Sequence, residues 1–326
     1  MPGIAPTCAP SQQRTSIDLA APRCRNPESR ERKARNEEHQ ARGWHFGYLD
    51  CTNSTVTLPP KRGRHDSREL LELRALAERQ PELSAAATLQ IELVDALRRI
   101  QTRVATGALV LSAEEVAARL STGQPLITFD RLPIDWNEAR LLFRQIADIL
   151  RRHDALDAAT AANLHEIGRS PELPALARAW FDGGSCGGGI DMLDEVLAWS
   201  MRPFLVRTAD VLQQRAAFGA WKRGVCPVCG GEPDFACITA NGDRLLICGR
   251  CQTRWPTEQY ACPFCGENDK LRITSFATPD GTYRVTACQT CLRYLKTLDG
   301  RRAGRPVMPA VDAIATLPLD AVVMQR

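Results

Sequence analysis

The sequence predicts an α+β fold, in which an all-α N-terminal domain is followed by two tandem cysteine-rich modules. Apolar residues recur at helical spacing through residues 67–219, and eight cysteines then form four Cys-x-x-Cys pairs separated by short strand-like runs. The expected organisation is a largely disordered extension at 1–66, a helical domain at 67–219, the cysteine modules at 220–300, and a tail at 301–326 that packs back on the domains.

The composition is that of an ordinary soluble protein. The chain has 326 residues, 44% of them hydrophobic and 25% charged, with a net charge of +4. This length predicts about two domains, and so modest a charge does not point to nucleic acid or to an anionic membrane. Residues 1–30 contain no apolar signal-peptide core, and no apolar run approaches the roughly 18 residues of a membrane span. We therefore expect neither export nor membrane insertion.

The first 66 residues differ in composition from the rest. They are rich in Pro, Arg, Ser and Thr, and Cys8, Cys24 and Cys51 do not stand at the spacing of metal ligands. A charge-mixed segment with so few apolar residues cannot bury enough surface to fold by itself. The sequence thus predicts disorder here and gives these three thiols no role.

The helical domain is predicted from apolar periodicity and capping signals. Leucines from Leu70 to Leu76 form one short apolar face, and a second stripe ends before Gly107. Ser112 and Asp135 each precede a glutamate by three residues, which is the spacing of a capping box. Further helices are expected over 154–167, 172–181 and 190–218, the last with a break at Pro203.

No catalytic constellation is evident in this domain. His153 and His165 have no nucleophile or carboxylate pair arranged around them, and a solvated helix surface accounts for both. The glycine-rich run Gly183–Gly189 lacks the lysine of a phosphate-binding loop, so it is interpreted as a connection that carries the lone thiol of Cys186. The sequence therefore predicts a protein that is not an enzyme.

The cysteine pairs predict two metal sites. They are Cys226/Cys229, Cys248/Cys251, Cys262/Cys265 and Cys288/Cys291. Each pair can present two thiolates to one Zn²⁺ or iron ion, which takes four in a tetrahedron. The second cysteine of the first pair is 18 residues from the next pair, the corresponding gap in the second half is 22, and only 10 residues separate the halves. This spacing favours joining the first pair to the second and the third to the fourth.

The residues after each pair refine this model. Each Cys-x-x-Cys pair is expected to form a tight turn, here called a knuckle, and the residue after its second cysteine usually needs a positive φ. Gly230 and Gly266 follow the first and third pairs, whereas Gln252 and Leu292 follow the other two. Each site is thus expected to join one glycine-closed turn to one plainer turn. Turn signals divide both halves into knuckle, strand, turn, strand and knuckle, the pattern of a rubredoxin-like or zinc-ribbon unit.

Cysteines in such pairs can also form disulfides or a redox dithiol. Disulfides require an oxidising compartment, which nothing in the sequence indicates. A redox dithiol normally stands alone before a helix, whereas here four copies are evenly arranged. A ribbon of about 35 residues also has too little apolar core to fold without a metal. Metal binding is therefore the interpretation favoured, and Cys237, outside every pair, is given no role.

Aromatic and basic residues alternate through the cysteine region, a pattern that could serve nucleic-acid stacking. From 221 to 300, however, ten Lys or Arg residues face eight Asp or Glu, and each four-thiolate centre with a divalent ion adds two negative charges. Nucleic-acid binding is therefore not favoured, and no pattern indicates an oligomeric state.

Four longer motifs surround the cysteine pairs: Cys226-Pro-Val-Cys-Gly230, Ile247-Cys-Gly-Arg-Cys-Gln-Thr-Arg-Trp255, Cys262-Pro-Phe-Cys-Gly266 and Thr286-Ala-Cys-Gln-Thr-Cys-Leu-Arg-Tyr-Leu-Lys296. Together with the preceding helical domain, they resemble the formate dehydrogenase accessory protein FdhE family. The resemblance covers residues 67–326 and is strongest over 222–300. It implies two iron ions held by the eight cysteines, with zinc as the alternative metal. It also implies a cytoplasmic protein that binds the immature catalytic subunit of a molybdenum or tungsten formate dehydrogenase.

Overall fold

The computed structural model describes residues 67–107, 111–184, 192–258 and 260–325. The predicted N-terminal extension at 1–66 and the glycine-rich connection from 185 to 191, with Cys186, lie outside the described residues. Within the described part, a helical region precedes a sheet region that carries two groups of four cysteines. The predicted α+β class is confirmed.

Seven α-helices precede the first strand in the described ranges. They are α1 (Arg68–Arg79), α2 (Ser84–Gln101), α3 (Ala113–Ser121), α4 (Trp136–Arg152), α5 (Ala158–Arg169), α6 (Leu173–Phe181) and α7 (Leu193–Gln213). Helices α2, α4 and α7 pack against one another in pairs. Their apolar faces, including fully buried Phe143 and Leu205, form the main core.

The predicted capping residues begin their helices. The Ser112 side chain accepts a hydrogen bond from the Glu115 amide at 3.1 Å, and Asp135 accepts from the amides of Asn137 and Glu138. One predicted start is wrong, because Asp154 has a left-handed φ of 55° and α5 begins instead after its cap Asp157.

Helix α7 also departs from the prediction, since it runs through Pro203 without the expected break and ends at Gln213 rather than near residue 218. Pro203 removes one backbone donor, at a typical cost of about 3 kcal/mol. It is buried beside Phe204 and Leu205, and packing on α2 and α4 holds the helix together.

The cysteine region forms a six-stranded sheet with the order β3-β2-β1-β6-β5-β4. The strands are β1 (Pro233–Ile238), β2 (Arg244–Cys248), β3 (Arg254–Pro256), β4 (Ile273–Ala277), β5 (Tyr283–Cys288) and β6 (Tyr294–Asp299). The hairpins β1–β2 and β4–β5 are those that the turn signals predict. The strands β3 and β6, which follow the second and fourth knuckles, were not predicted.

The two cysteine modules are joined into this one sheet. Within each module the three strands are antiparallel, whereas β1 and β6 pair in parallel, with Phe235 opposite Lys296 and Ile238 opposite Asp299. The second module therefore repeats the first in the same orientation along the sheet. A sequence repeat predicts the units, but only the β1–β6 pairing shows that they share one sheet.

The last elements contact both regions. Helix α9 (Pro309–Ala315) packs against α1 and α2, and it follows α8 (Gly300–Ala303) and precedes α10 (Leu317–Met324). The fully buried Asp312 of α9 accepts hydrogen bonds from the Tyr283 hydroxyl at 2.8 Å and from Arg305 at 2.5 Å. Asp320 of α10 accepts from Tyr294 at 2.8 Å and from Lys296 at 2.6 Å.

None of the helices in the described ranges combines the length and the apolar character that crossing a membrane requires.

Candidate metal centres

The structure brings the eight cysteines of the Cys-x-x-Cys pairs into two groups of four. The inner centre comprises Cys226, Cys229, Cys248 and Cys251, and the outer centre comprises Cys262, Cys265, Cys288 and Cys291. In each group the four sulfur atoms lie within 4.8 Å of one another. This is the grouping that the spacing predicts, and both sets of donors could hold a metal ion.

All four knuckles have the same backbone turn. In each, the amide of the residue after the second cysteine donates to the carbonyl of the first, at 2.9–3.1 Å. The φ angles of that residue are 72° at Gly230, 77° at Gly266, 60° at Gln252 and 58° at Leu292. The expected plainer turns therefore do not occur, since Gln252 and Leu292 adopt the left-handed conformation that glycine adopts at lower cost.

The inner centre has the dimensions of a tetrahedral thiolate site and is closed to solvent. None of its cysteines is more than 3% exposed. Three sulfur pairs lie 3.4–3.5 Å apart, near the edge of about 3.8 Å expected for a tetrahedron with metal–sulfur bonds of about 2.3 Å. Amides of Val228 and Arg250 donate to its sulfurs, and the Thr253 hydroxyl lies 3.0 Å from the Cys251 sulfur.

The inner centre lies where the helical region meets the sheet. Its four cysteines belong to the main core, together with residues of α2, α4 and α7. The amides of Leu126 and Ile127 donate to the carbonyls of Pro227 and Val228, within the first knuckle, at 2.9 and 3.0 Å. Arg250, within the second knuckle, donates to the carbonyls of Phe181 and Trp180 at the end of α6. Both knuckles are therefore fixed to the helices.

Arg202 of α7 supplies positive charge beside the inner centre. Its guanidinium donates to the Gly249 carbonyl at 2.8 Å and stacks on Trp199, while its buried Nε has no hydrogen-bond partner among the described residues. Burial lowers the pKa of Arg202, and the charges of Asp234, Cys248 and Cys251 oppose this effect. A partly buried cation without a hydrogen-bonded carboxylate suits a neighbouring site of net negative charge, such as a divalent ion with four thiolates.

The outer centre is more open. Cys262 and Cys288 are buried, whereas Cys291 is half-buried and Cys265 is exposed. Two sulfur pairs, Cys262–Cys291 and Cys265–Cys288, lie 3.7 Å apart, which matches the tetrahedral spacing closely. Beside it, Arg293 stacks on Phe264 at 3.7 Å and pairs with Glu232 at 2.6 Å. That ion pair ties the outer centre to the first module.

The thiols of a group cannot all ionise without a cation among them. Burial, together with the neighbouring thiols, raises the pKa of Cys291 to about 12. For Cys288, burial opposes ionisation, but the amides of Cys291 and Thr290 and the adjacent thiols outweigh it and lower the pKa to about 7. One thiolate thus suppresses the next, and a bound divalent ion would remove the conflict and release the remaining protons. The donor chemistry of both groups fits a metal.

Other predicted features have simpler roles. His153 and His165 each pair with one carboxylate, of Glu92 at 3.0 Å and of Asp148 at 2.8 Å. Cys237 is buried in the sheet beside Phe235, away from both groups. Arg202 was not identified from the sequence, because nothing in a helical stretch indicates that a residue 24 positions before the first cysteine will face it.

Comparison with known proteins finds individual relatives of this chain, although no family model matches it. The protein FdhE homolog of Edwardsiella ictaluri (strain 93-146) is 30% identical over 217 residues, which are 64% of this chain and 68% of the relative. The protein FdhE homolog of Rhizobium meliloti (strain 1021) is 32% identical over 104 residues, which are 30% of this chain and 33% of the relative.

A solved structure supports the same relationship at the level of the fold. The crystal structure of the FdhE protein from Pseudomonas aeruginosa superposes with a TM-score of 0.55 at 20% identity, over 79% of this chain and 90% of that one. The extent of the Edwardsiella match, together with this shared fold, shows that the chain belongs to the FdhE family.

Proposed function

We propose that this protein is a metal-binding accessory factor that binds the immature catalytic subunit of a molybdenum or tungsten formate dehydrogenase in the cytoplasm. Each of the two four-cysteine groups holds one ion, iron in the first instance and zinc as the alternative. The observation that carries the proposal is the pair of complete four-thiol groups in a chain of the FdhE family. Under this proposal the protein acts by binding and does not catalyse a reaction.

The two groups of cysteines supply a scaffold that bound ions would make rigid. A bound ion would contribute cross-linking of two knuckles and, if it is iron, a one-electron couple. Four protein thiolates leave no open coordination position, so the donor set does not suit metal-assisted hydrolysis. The inner group fixes the sheet to helices α6 and α7, and the outer group closes the second module. The resulting surface is stiff, which favours recognition of one partner conformation.

The contacts of the basic residues argue against nucleic acid as the partner. Arg250 and Arg254 donate to backbone carbonyls of the chain itself, Arg293 pairs with Glu232, and Lys296 pairs with Asp320. Of the aromatic residues, Trp255 is fully buried, whereas Tyr260 is 60% exposed and is the exception. Side chains that are engaged within the molecule are not available for phosphates or for base stacking.

The proposal is tested by affinity purification of the tagged full-length protein from its own host, grown so that formate dehydrogenase is made. We expect the formate dehydrogenase catalytic subunit to co-purify, and metal analysis to find two ions per chain. Cys262→Ser should lower both the metal content and the recovery of the subunit. Cys237→Ala, at a buried cysteine outside both groups, is the matched control and should change neither. Recovery of nucleic acid or ribosomes in place of the subunit would refute the proposal.

A second candidate, one-electron transfer during maturation, is favoured by the exposure of Cys265 at the outer centre. An exposed ligand sulfur brings a redox partner close to an iron ion. Anaerobic purification from the host should then give a coloured protein with a reversible potential. A colourless zinc protein from the same preparation would refute this second candidate and leave the accessory role intact.

A further inference from the structure

The two groups of cysteines differ in ways that their motifs do not show. We propose that the outer centre can release its ion to ligands in solution, whereas the inner centre holds its ion permanently as a structural element. This inference rests on the metal binding proposed above. The inner and outer centres would then have separate roles within one sheet.

The first support is access to the sulfur atoms. A competing ligand must approach the ion as a cysteine leaves, so exchange requires an exposed sulfur or an opening of the fold. Every inner cysteine is at most 3% exposed, whereas Cys265 is exposed and Cys291 is half-buried. Exchange can therefore start at Cys265 without unfolding, but at the inner centre it must wait for an opening of the core.

The second support is what each group holds in place. The inner cysteines belong to the main hydrophobic core, and their knuckles bond to Leu126, Ile127 and the end of α6. None of the hydrophobic clusters of the described residues includes an outer cysteine. Leu292, which directly follows the outer ligand Cys291, is 85% exposed. Loss of the outer ion would therefore free a peripheral turn, while loss of the inner ion would separate the sheet from the helices.

The third support is the environment of equivalent positions in the repeat. Two residues after the last inner cysteine, the fully buried Thr253 places its hydroxyl 3.0 Å from the Cys251 sulfur. The equivalent outer residue is Arg293, which is exposed and turned to Glu232. A basic side chain lies beside each centre, Arg202 at the inner one and Arg244 at the outer one, so charge does not distinguish them. The Thr253 contact stabilises an inner thiolate against protonation and departure.

Exchange at the outer centre is a ligand substitution without electron transfer. A nitrogen or sulfur donor forms a bond to the ion as the bond to the Cys265 sulfur breaks, and the released thiolate takes a proton from water. Repetition at the other three outer cysteines transfers the ion to the competing ligand. Because metal loading releases these protons, acidification favours removal.

The test uses the full-length chain loaded with two equivalents of Zn²⁺ under anaerobic conditions. The chelator 4-(2-pyridylazo)resorcinol is added, and released zinc is followed by absorbance. We expect two phases of equal amplitude, with the fast phase at least about tenfold faster than the slow one, because the slow one requires opening of the core. Alkylation after the fast phase, followed by peptide mass spectrometry, should modify the four outer cysteines and spare the four inner ones.

Variants make the assignment independent of the wild-type rates. Cys265→Ser should remove the fast phase and leave one slowly released ion, and Cys237→Ala should behave as the wild type. A single phase, or alkylation of both groups together, would overturn the inference while leaving metal binding intact. A protein that takes up no zinc at all would instead refute the metal binding on which the inference rests.

Discussion

Replacement of Leu292 by glycine should stabilise the protein, although it removes an apolar side chain. Leu292 has a φ of 58°, a conformation that costs a residue with a Cβ about 1–2 kcal/mol. It is 85% exposed, so its removal sacrifices little buried surface. Glycine loses more backbone entropy on folding, which offsets about 0.4–1 kcal/mol of the gain. The net expectation is a stabilisation of about 0.8 kcal/mol, the centre of a range from about 0 to 1.6 kcal/mol.

Thermal unfolding of the metal-loaded protein measures this gain. For a domain of this size, 1 kcal/mol corresponds to about 2–4 °C in Tm, so Leu292→Gly should raise Tm by about 1–4 °C. The opposite substitution, which adds a Cβ in place of removing one, is Gly266→Ala at the equivalent position of the third knuckle. Its φ is 77°, and an added Cβ would meet no atom within 4 Å. A fall in Tm of similar size would therefore report backbone strain alone.

Gly219→Ala is the matched control, because its Cβ also meets nothing within 4 Å and its φ is not positive. It should leave Tm unchanged or raise it slightly. If Leu292→Gly did not raise Tm and Gly266→Ala did not lower it, the left-handed turn would carry no measurable cost, and the explanation of the knuckle sequences would be wrong.

Three further outcomes follow from packing and charge. In Gly224→Ala the new Cβ would lie 1.8 Å from the Pro263 carbonyl oxygen, so the first and third knuckles must move apart; chelator titration should show weaker metal binding, more at the outer centre, because the core packs only on the inner one. Asp312→Asn leaves the half-buried Arg305 without its carboxylate and should cost about 1.5–3 kcal/mol in denaturant unfolding; an unchanged midpoint would contradict this. Burial and the Asp320 carboxylate raise the pKa of Tyr294 to about 12, so the contribution of the Tyr294 hydroxyl to folding stability is full below pH 10 and is lost as pH rises toward 12. Absorbance titration of the tyrosines should show an ionisation midpoint near 12 that is missing in Tyr294→Phe.

The local features of the fold could be predicted from sequence because their causes are local. Helix caps at Ser112 and Asp135 depend on residues three positions apart, and the hairpins depend on the Asn241-Gly242 and Asp280-Gly281 turns. The grouping of the cysteines also depends on distances along the chain. The predicted break at Pro203 is wrong because tertiary contacts determine the conformation there: packing against α2 and α4 keeps α7 helical on both sides of Pro203.

The sheet shows a different limit of sequence reasoning. Strand β3 has only three residues and β6 follows a knuckle directly, so neither presents an isolated alternating pattern. The parallel pairing of β1 with β6 joins residues about 60 positions apart, and nothing in either strand specifies that partner. Charge balance at the inner centre is equally non-local, since it brings Arg202 of α7 beside cysteines of the sheet.

The sequence repeat produces two chemically similar centres, and their positions in the sheet make them different. The second module repeats the first in orientation, so strand order alone does not distinguish the two centres. The helices cover the inner centre, and the outer centre has no equivalent cover in the described ranges. Burial therefore differs between identical ligand sets because of where the helices pack, and metal retention should follow burial. A repeat that duplicates a ligand set thus allows one copy to hold the fold together while the other remains accessible, which a single centre could not do.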